Sequence, residues 1–184
     1  MKKESLHTRI PQLAKRNSGF SMMELLVAVL VMGVGVLGVT GMQLVSLQNN
    51  RDALLRSEAV QLAYDILDRV RVNPGAGVAG TNYDGVNLDD DPPIATDCVA
   101  NVCTTAQMVA FDVASWKCSL GGFATNATCT DFRTADVLPD VALQPGLPNG
   151  DGSIAVDGGG VITVTVRWNG FNNQLQTISI ESQG

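Results

Sequence analysis

The sequence predicts an α+β fold. A long N-terminal helix, one half apolar and the other amphipathic, packs on a small C-terminal antiparallel sheet, with one further short helix. Three patterns lead to this. Residues 25–42 form an uncharged apolar run. Leu55, Ala59, Leu62, Ile66 and Val70 recur every three or four residues, a stripe along one helix face. Ile162, Val164, Val166 and Trp168 alternate with Thr163, Thr165 and Arg167, the period of a half-buried strand.

The apolar run comes first. As a helix its 18 residues span about 27 Å, and about 20 residues cross a bilayer. A helix buried in a soluble core rarely runs so far without a polar face, so the run reads as a membrane span. Charge is distributed to match. Residues 1–19 carry Lys2, Lys3, Arg9, Lys15 and Arg16 against the single acid Glu4. From Pro74 onward three cations, Lys117, Arg133 and Arg167, face twelve acids. A basic head before the run and an acidic body after it orient the chain with its head in the cytoplasm. The formal net charge is −6 and charged residues make up 16% of the chain, below the usual share of about 25%. That balance excludes a basic nucleic-acid binder and a disordered acidic tail. The one histidine, His7, lies in the basic head, so a His-based triad and a multi-His metal site are excluded.

The helix continues past the apolar run as an amphipathic one, over residues 21–72 in all. Such a helix is about 75 Å long. Asp52–Arg56 and Asp65–Arg69 are expected as i,i+4 pairs on its wet side. The stripe suits a globular head packed on the second half of the helix; a coiled coil would show the same spacing. Asn73-Pro74-Gly75 ends the helix, because proline disfavours helix in the residue before it. Residues 75–97, rich in Gly, Asn, Asp and Pro, read as an irregular loop with Asp89, Asp90 and Asp91 exposed. Thr104-Thr105-Ala106-Gln107 has the form of a capping box. Val109, Val113, Trp116 and Leu120 come after it at helical spacing, so a second helix is expected near 105–120, stopped by Gly121-Gly122, with Trp116 as a core anchor. Strands at 153–157, 161–168 and 175–180 are separated by Gly- and Asn-rich gaps, which gives a three-stranded meander. Its apolar face is expected to cover the helical stripe.

Sites of chemistry are few. Gly33-Val34-Gly35-Val36-Leu37-Gly38 matches a dinucleotide fingerprint but lies inside the apolar run, without the strand and helix start that such a site needs. Gly35, Gly38 and Gly41 either allow close helix–helix approach or are merely tolerated in a membrane helix. Asn149-Gly150-Asp151-Gly152-Ser153 with Asp157 partly resembles a calcium loop but lacks its sixth-place glycine and twelfth-place glutamate. Asn126-Ala127-Thr128 is a glycosylation sequon. No nucleophile elbow, phosphate loop or zinc-helix motif occurs, so no catalytic residue, metal or cofactor is assigned, and the acids read as solvated surface. Cys98, Cys103, Cys118 and Cys129 lie beyond the apolar run, in an oxidising periplasm if the head is cytoplasmic. Four cysteines allow three pairings and the sequence does not choose among them. Cys98–Cys103 with Cys118–Cys129 is favoured because each closes a short loop beside the second helix. The spacings lack C-x-x-C pairs, which counts against a zinc site.

One motif is more specific. Lys15-Arg16-Asn17-Ser18-Gly19 is followed by Phe20-Ser21-Met22-Met23-Glu24 and then the apolar run. This resembles the signal of type IV prepilins and pseudopilins: a short basic leader ending in Gly, an aromatic residue, and a Glu just inside the helix. The resemblance implies a pilin-like fold in which residues 1–19 are a removable leader. Residues 20–47 would be the transmembrane and assembly helix, 48–73 its amphipathic continuation, and 74–184 a periplasmic head. It implies that a prepilin peptidase cuts between Gly19 and Phe20 and methylates the amine of Phe20. It also implies that Glu24 pairs with that amine on a neighbouring subunit. A carboxylate in an apolar helix needs such a partner; the alternative is that Glu24 only favours the positive end of the helix dipole. Two further features, residues 110–116 and 147–152 leading into the strand that ends at Trp168, resemble minor pilins of the pilus-modification group. The implied role is structural, priming assembly near the tip of a type IV pilus. The partners would be other minor pilins, the major pilin, the assembly machinery, a tip adhesin and the inner membrane, and not nucleic acid. The alternatives are a pseudopilin of type II secretion and a membrane-anchored periplasmic adhesin or sensor without a fibre role.

Overall fold

The computed structural model describes residues 19–73 and 83–183. The leader through Ser18, and the proposed helix stop at Pro74-Gly75, lie outside the described residues. The element order is α1 (Met22–Val72), α2 (Thr105–Leu120), α3 (Ala127–Thr134), β1 (Asp151–Val156), β2 (Val161–Asn169), a 3₁₀ turn (Phe171–Asn173) and β3 (Leu175–Gln183). The chain divides into two compact units, residues 1–45 and 46–184.

In the first unit the described residues form the start of α1. Ser21 caps it, its Oγ accepting from the Met23 N–H at 3.3 Å. Every side chain from Met22 to Val45 is exposed. The apolar window has a mean hydropathy of 2.4 with none of it buried, and by length and composition it is able to cross a membrane.

The second unit has a core. Ala59, Leu62, Ala63, Ile66, Leu67 and Val70 form the buried stripe of α1. They share one cluster with Val109, Val113, Trp116 and Leu120 of α2 and with Ile154, Val156, Ile162, Val164, Val166 and Trp168 of the sheet. The stripe is therefore covered within the chain rather than by a coiled-coil partner. Leu55, at its start, is only partly buried. Trp116 is fully buried and its indole N–H donates to the Leu62 carbonyl at 2.9 Å, which ties α2 to α1. A buried indole needs such an acceptor.

The capping box forms as written in the sequence. Thr104 Oγ1 accepts from the Gln107 N–H, and the Gln107 side chain accepts from the Thr104 N–H at 2.9 Å. At the other end Gly121 takes a left-handed conformation with φ 103°, which a residue bearing Cβ adopts at a cost. The second face of α2 packs Phe111 and Ala114 on Phe132 of α3, with the Phe111 and Phe132 ring centroids 5.4 Å apart. The sequence reading has no α3. Its residues show no helical apolar stripe beyond Cys129 and Phe132, and its start is set by Asn126, whose Oδ1 accepts from the Thr128 N–H at 2.9 Å. The sequon asparagine is thus a helix cap.

The sheet has the order β1-β2-β3, both pairings antiparallel, with Ile154 opposite Val164 and Val164 opposite Ile180. The even-numbered residues of β2 face the core and the odd-numbered ones the outer surface. β1 begins at Asp151, two residues before the expected start. Asp52 does not pair with Arg56 among the described residues; its Oδ1 accepts from the Phe171 N–H at 3.1 Å and holds the β2–β3 turn to α1. Asp65–Arg69 does form, at 3.0 Å.

Candidate functional site

The residues assigned to processing and assembly sit at the start of α1. Gly19 and Phe20 precede the helix and are exposed, Phe20 by 77%. Glu24 lies in the first helical turn, its N–H donating to the Ser21 carbonyl at 3.0 Å, and its side chain is exposed. In the described residues nothing pairs with its carboxylate. A Cβ added at Gly33, Gly35, Gly38 or Gly41 would meet nothing within 4 Å, so these glycines leave open ground on the helix surface. Thr40, the polar side chain of this stretch, donates its hydroxyl to the Val36 carbonyl at 2.9 Å and presents no free donor to an apolar surrounding. The segment is thus an apolar rod with one acid near its start.

In the second unit the cysteines are joined as Cys98–Cys103 and Cys118–Cys129, with Cα separations of 5.6 and 5.2 Å. Cys118–Cys129 is fully buried and links α2 to α3. Beside it the Arg133 guanidinium donates to the carbonyls of Cys118 at 3.0 Å and Cys129 at 3.3 Å.

Two acids expected at the surface are buried, and this corrects the sequence reading. Asp151 is 4% exposed and Asp112 6%. Asp151 faces Lys117, itself fully buried, at 3.2 Å, and Arg167 at 3.4 Å. It also accepts from the N–H groups of Asp89 at 2.6 Å and Gly152 at 2.7 Å. The Lys117 ammonium donates in addition to the carbonyls of Asn87 at 2.8 Å and Asp90 at 2.7 Å. Asp151, one of the two acids of the segment that resembled a calcium loop, is therefore paired with a cation of the chain itself, while the other, Asp157, accepts from the N–H groups of Gly159 and Val161 at 2.8 Å. Among the described residues no group of three or more His, Cys, Asp or Glu side chains is placed to hold a metal. The glycines of that segment have a packing role instead. A Cβ on Gly150 would lie 2.0 Å from the Leu120 carbonyl, and one on Gly152 2.4 Å from the Trp116 ring. Only glycine lets this loop close on the end of α2.

Asp112 anchors a second cluster. Tyr83 donates its hydroxyl to Asp112 Oδ2 at 2.6 Å, and Arg69 contacts Asp112 Oδ1 at 3.4 Å and Ser115 Oγ at 3.0 Å. Burial, and then the bond to Asp112, raise the Tyr83 phenol well above its ordinary range. Sequence reasoning missed Lys117 and Asp112 because the position of a charge on a helix does not reveal what fold partner meets it. A usable signal exists all the same: α2 carries Trp116, Lys117 and Cys118 in succession and has apolar residues on all sides, so its charges are forced inward.

Residues 14–40 match the prokaryotic N-terminal methylation motif. Residues 41–114 match the family described as type IV pilin Tt1218. The two matched stretches are adjacent, one similar to a methylation motif and the next to a type IV pilin, and each covers less than half of the chain. No curated protein and no solved structure matches it.

Proposed function

We propose that the chain is a minor pilin, a non-catalytic structural subunit that helps prime a type IV pilus and sits near its tip with other minor pilins. The observation that carries this reading is the Gly19–Phe20 junction with Glu24 in the first turn of a helix whose apolar first part, residues 22–45, is wholly exposed. Exposed apolar surface on this scale requires lipid or neighbouring helices to cover it. A lone carboxylate at its start requires a cation in the same apolar surrounding, where opposite charges attract strongly. The new amine of Phe20, freed by a prepilin peptidase at Gly19 and methylated, is that cation on an adjacent subunit. Burial of residues 20–47 among neighbouring helices supplies the driving force and Glu24 the register. The inner membrane holds the subunit before assembly, and the major pilin, the assembly machinery and a tip adhesin are its further partners.

Within the class, the chain is similar in pattern to the PilV group of pilus-modification minor pilins. Ala110-Phe111-Asp112-Val113-Ala114-Ser115-Trp116 and Leu147-Pro148-Asn149-Gly150-Asp151-Gly152 support this, and both segments close around the same end of the core, through Trp116 and Gly152. Mass spectrometry of the mature protein tests the processing step. The expected N-terminus is N-methylated Phe20; an intact Met1, or a cut after residue 42, overturns the reading. Glu24→Gln is expected to insert in the membrane but to drop out of sheared fibres. Rescue of secretion rather than of piliation in deletion strains would move the chain to the type II pseudopilins.

A further inference from the structure

The two edges of the sheet are treated differently. Strand parity is set by two bonds at its ends. The Asp157 N–H donates to the Val161 carbonyl at 3.0 Å, so odd-numbered β2 residues bond toward β1. The Gly170 N–H donates to the Gln174 carbonyl at 2.8 Å, so even-numbered β2 residues bond toward β3. The outward groups of β1 are therefore those of Gly152, Ile154 and Val156, and all three donors are satisfied. The Ile154 N–H donates to the Val86 carbonyl at 2.8 Å, the Val156 N–H to Asp84 Oδ1 at 3.0 Å, and the Gly152 N–H to Asp151 Oδ1 at 2.7 Å. On β3 the outward groups belong to Leu175, Thr177, Ser179, Glu181 and Gln183 by the same parity. The Gln183 carbonyl accepts from the Ser182 hydroxyl at 3.3 Å, and among the described residues nothing pairs with the backbone groups of the other four. The strand runs for nine residues in unbroken register, without proline, lysine or bulge, the devices that usually protect an open edge.

We propose that the outer edge of β3 receives an extended segment of another subunit, added antiparallel as a fourth strand, with a lysine or arginine facing Glu181. Charge selects the occupant. Glu181 is the one ionisable group on β3, and from Pro74 onward twelve acids face three cations. A second copy of the chain would bring two acidic heads together, whereas a basic strand is drawn to this edge. Main-chain bonds then supply affinity, and the outer-face side chains Leu175, Thr177 and Ser179 supply complementarity. The proposal takes the chain to work among other subunits, as in the reading above, but its test uses purified components and stands apart from processing and piliation.

The test is binding of labelled nine-residue peptides to the full chain in detergent, read by fluorescence anisotropy. One peptide alternates threonine and valine with lysine at its third position, opposite Glu181 in the antiparallel register. The second has glutamate there, and the third has the sequence of β3 itself. The lysine peptide is expected to bind about threefold or more tighter than the glutamate peptide, and Glu181→Lys to reverse that preference. Thr177→Pro removes an outward N–H and leaves the β2–β3 ladder whole, so it is expected to weaken binding about tenfold at unchanged melting temperature. Ile178→Pro removes an inward N–H and is the contrast that lowers the melting temperature. Absence of binding by the lysine peptide, full binding to Thr177→Pro, or tighter binding of the β3 peptide overturns the proposal.

Discussion

Tyr83 and Lys117 show how single residues hold the head in one arrangement. Lys117 is fully buried, yet each of its ammonium protons has an acceptor, in Asn87, Asp90 and Asp151. Removing one member of such a pair strands a charge and typically costs about 3 kcal/mol or more. The same contacts fix the loop containing Asp89 and Asp90 to α2. Tyr83 does similar work at Asp112, near the middle of α2. Its phenol pKa is raised in the folded chain, so the neutral form is the stabilising one. That contribution is fully present below the unfolded value of about 10 and is lost as pH rises beyond it. Thermal melts of the wild type are therefore expected to fall above pH about 10 more steeply than those of Tyr83→Phe. The phenylalanine variant should also start lower, by about 1–3 kcal/mol, because Asp112 loses a buried donor. Parallel slopes would show that Tyr83 does not carry the effect.

At the scale of elements, α2 is the organiser. It is capped at both ends, and it presents Val109, Val113, Trp116 and Leu120 to the main core and Phe111 and Ala114 to α3. α3 is only eight residues long, too short to be stable alone. What holds it is the buried Cys118–Cys129 bond, the Phe111–Phe132 contact and Arg133. Replacing both Cys118 and Cys129 by alanine is expected to cost about 3 kcal/mol, from the entropy of the loop they close. The loss should appear first as faster hydrogen exchange in residues 127–134. The Cys98–Cys103 pair closes a shorter loop, only partly buried, and should cost less, about 2 kcal/mol. Equal costs for the two would contradict this ordering.

At the scale of the molecule, the chain is two units under different solvation rules. In residues 22–45 every side chain faces outward and the apolar ones have no cover in the chain itself. Residues 46–184 bury a core of their own, with both disulfides inside the unit. A chain starting at Ser46 is therefore expected to fold by itself, to stay in solution without detergent, and to melt cooperatively in circular dichroism. A non-cooperative melt would mean that the first unit is needed for the second to fold.

Much of this was legible in the residues. The apolar run, the helical stripe, the capping box and the alternation of β2 are periodic signals, and local geometry alone turns them into a helix, a cap and a strand. Gly19, Phe20 and Glu24 form a linear motif, so their proposed roles can be read without a fold. Other features are decided by what the chain brings together across long separations. The sequence did not show that Asp151 meets Lys117, that Asp52 holds the turn at Phe171, or that Asn126 starts a helix. Nor did it show that one sheet edge is closed by Val86 and Asp84 while the other is left open. The reason is physical: period and spacing encode which face of an element is apolar, but a charge or a backbone donor is satisfied by whichever group packing delivers to it.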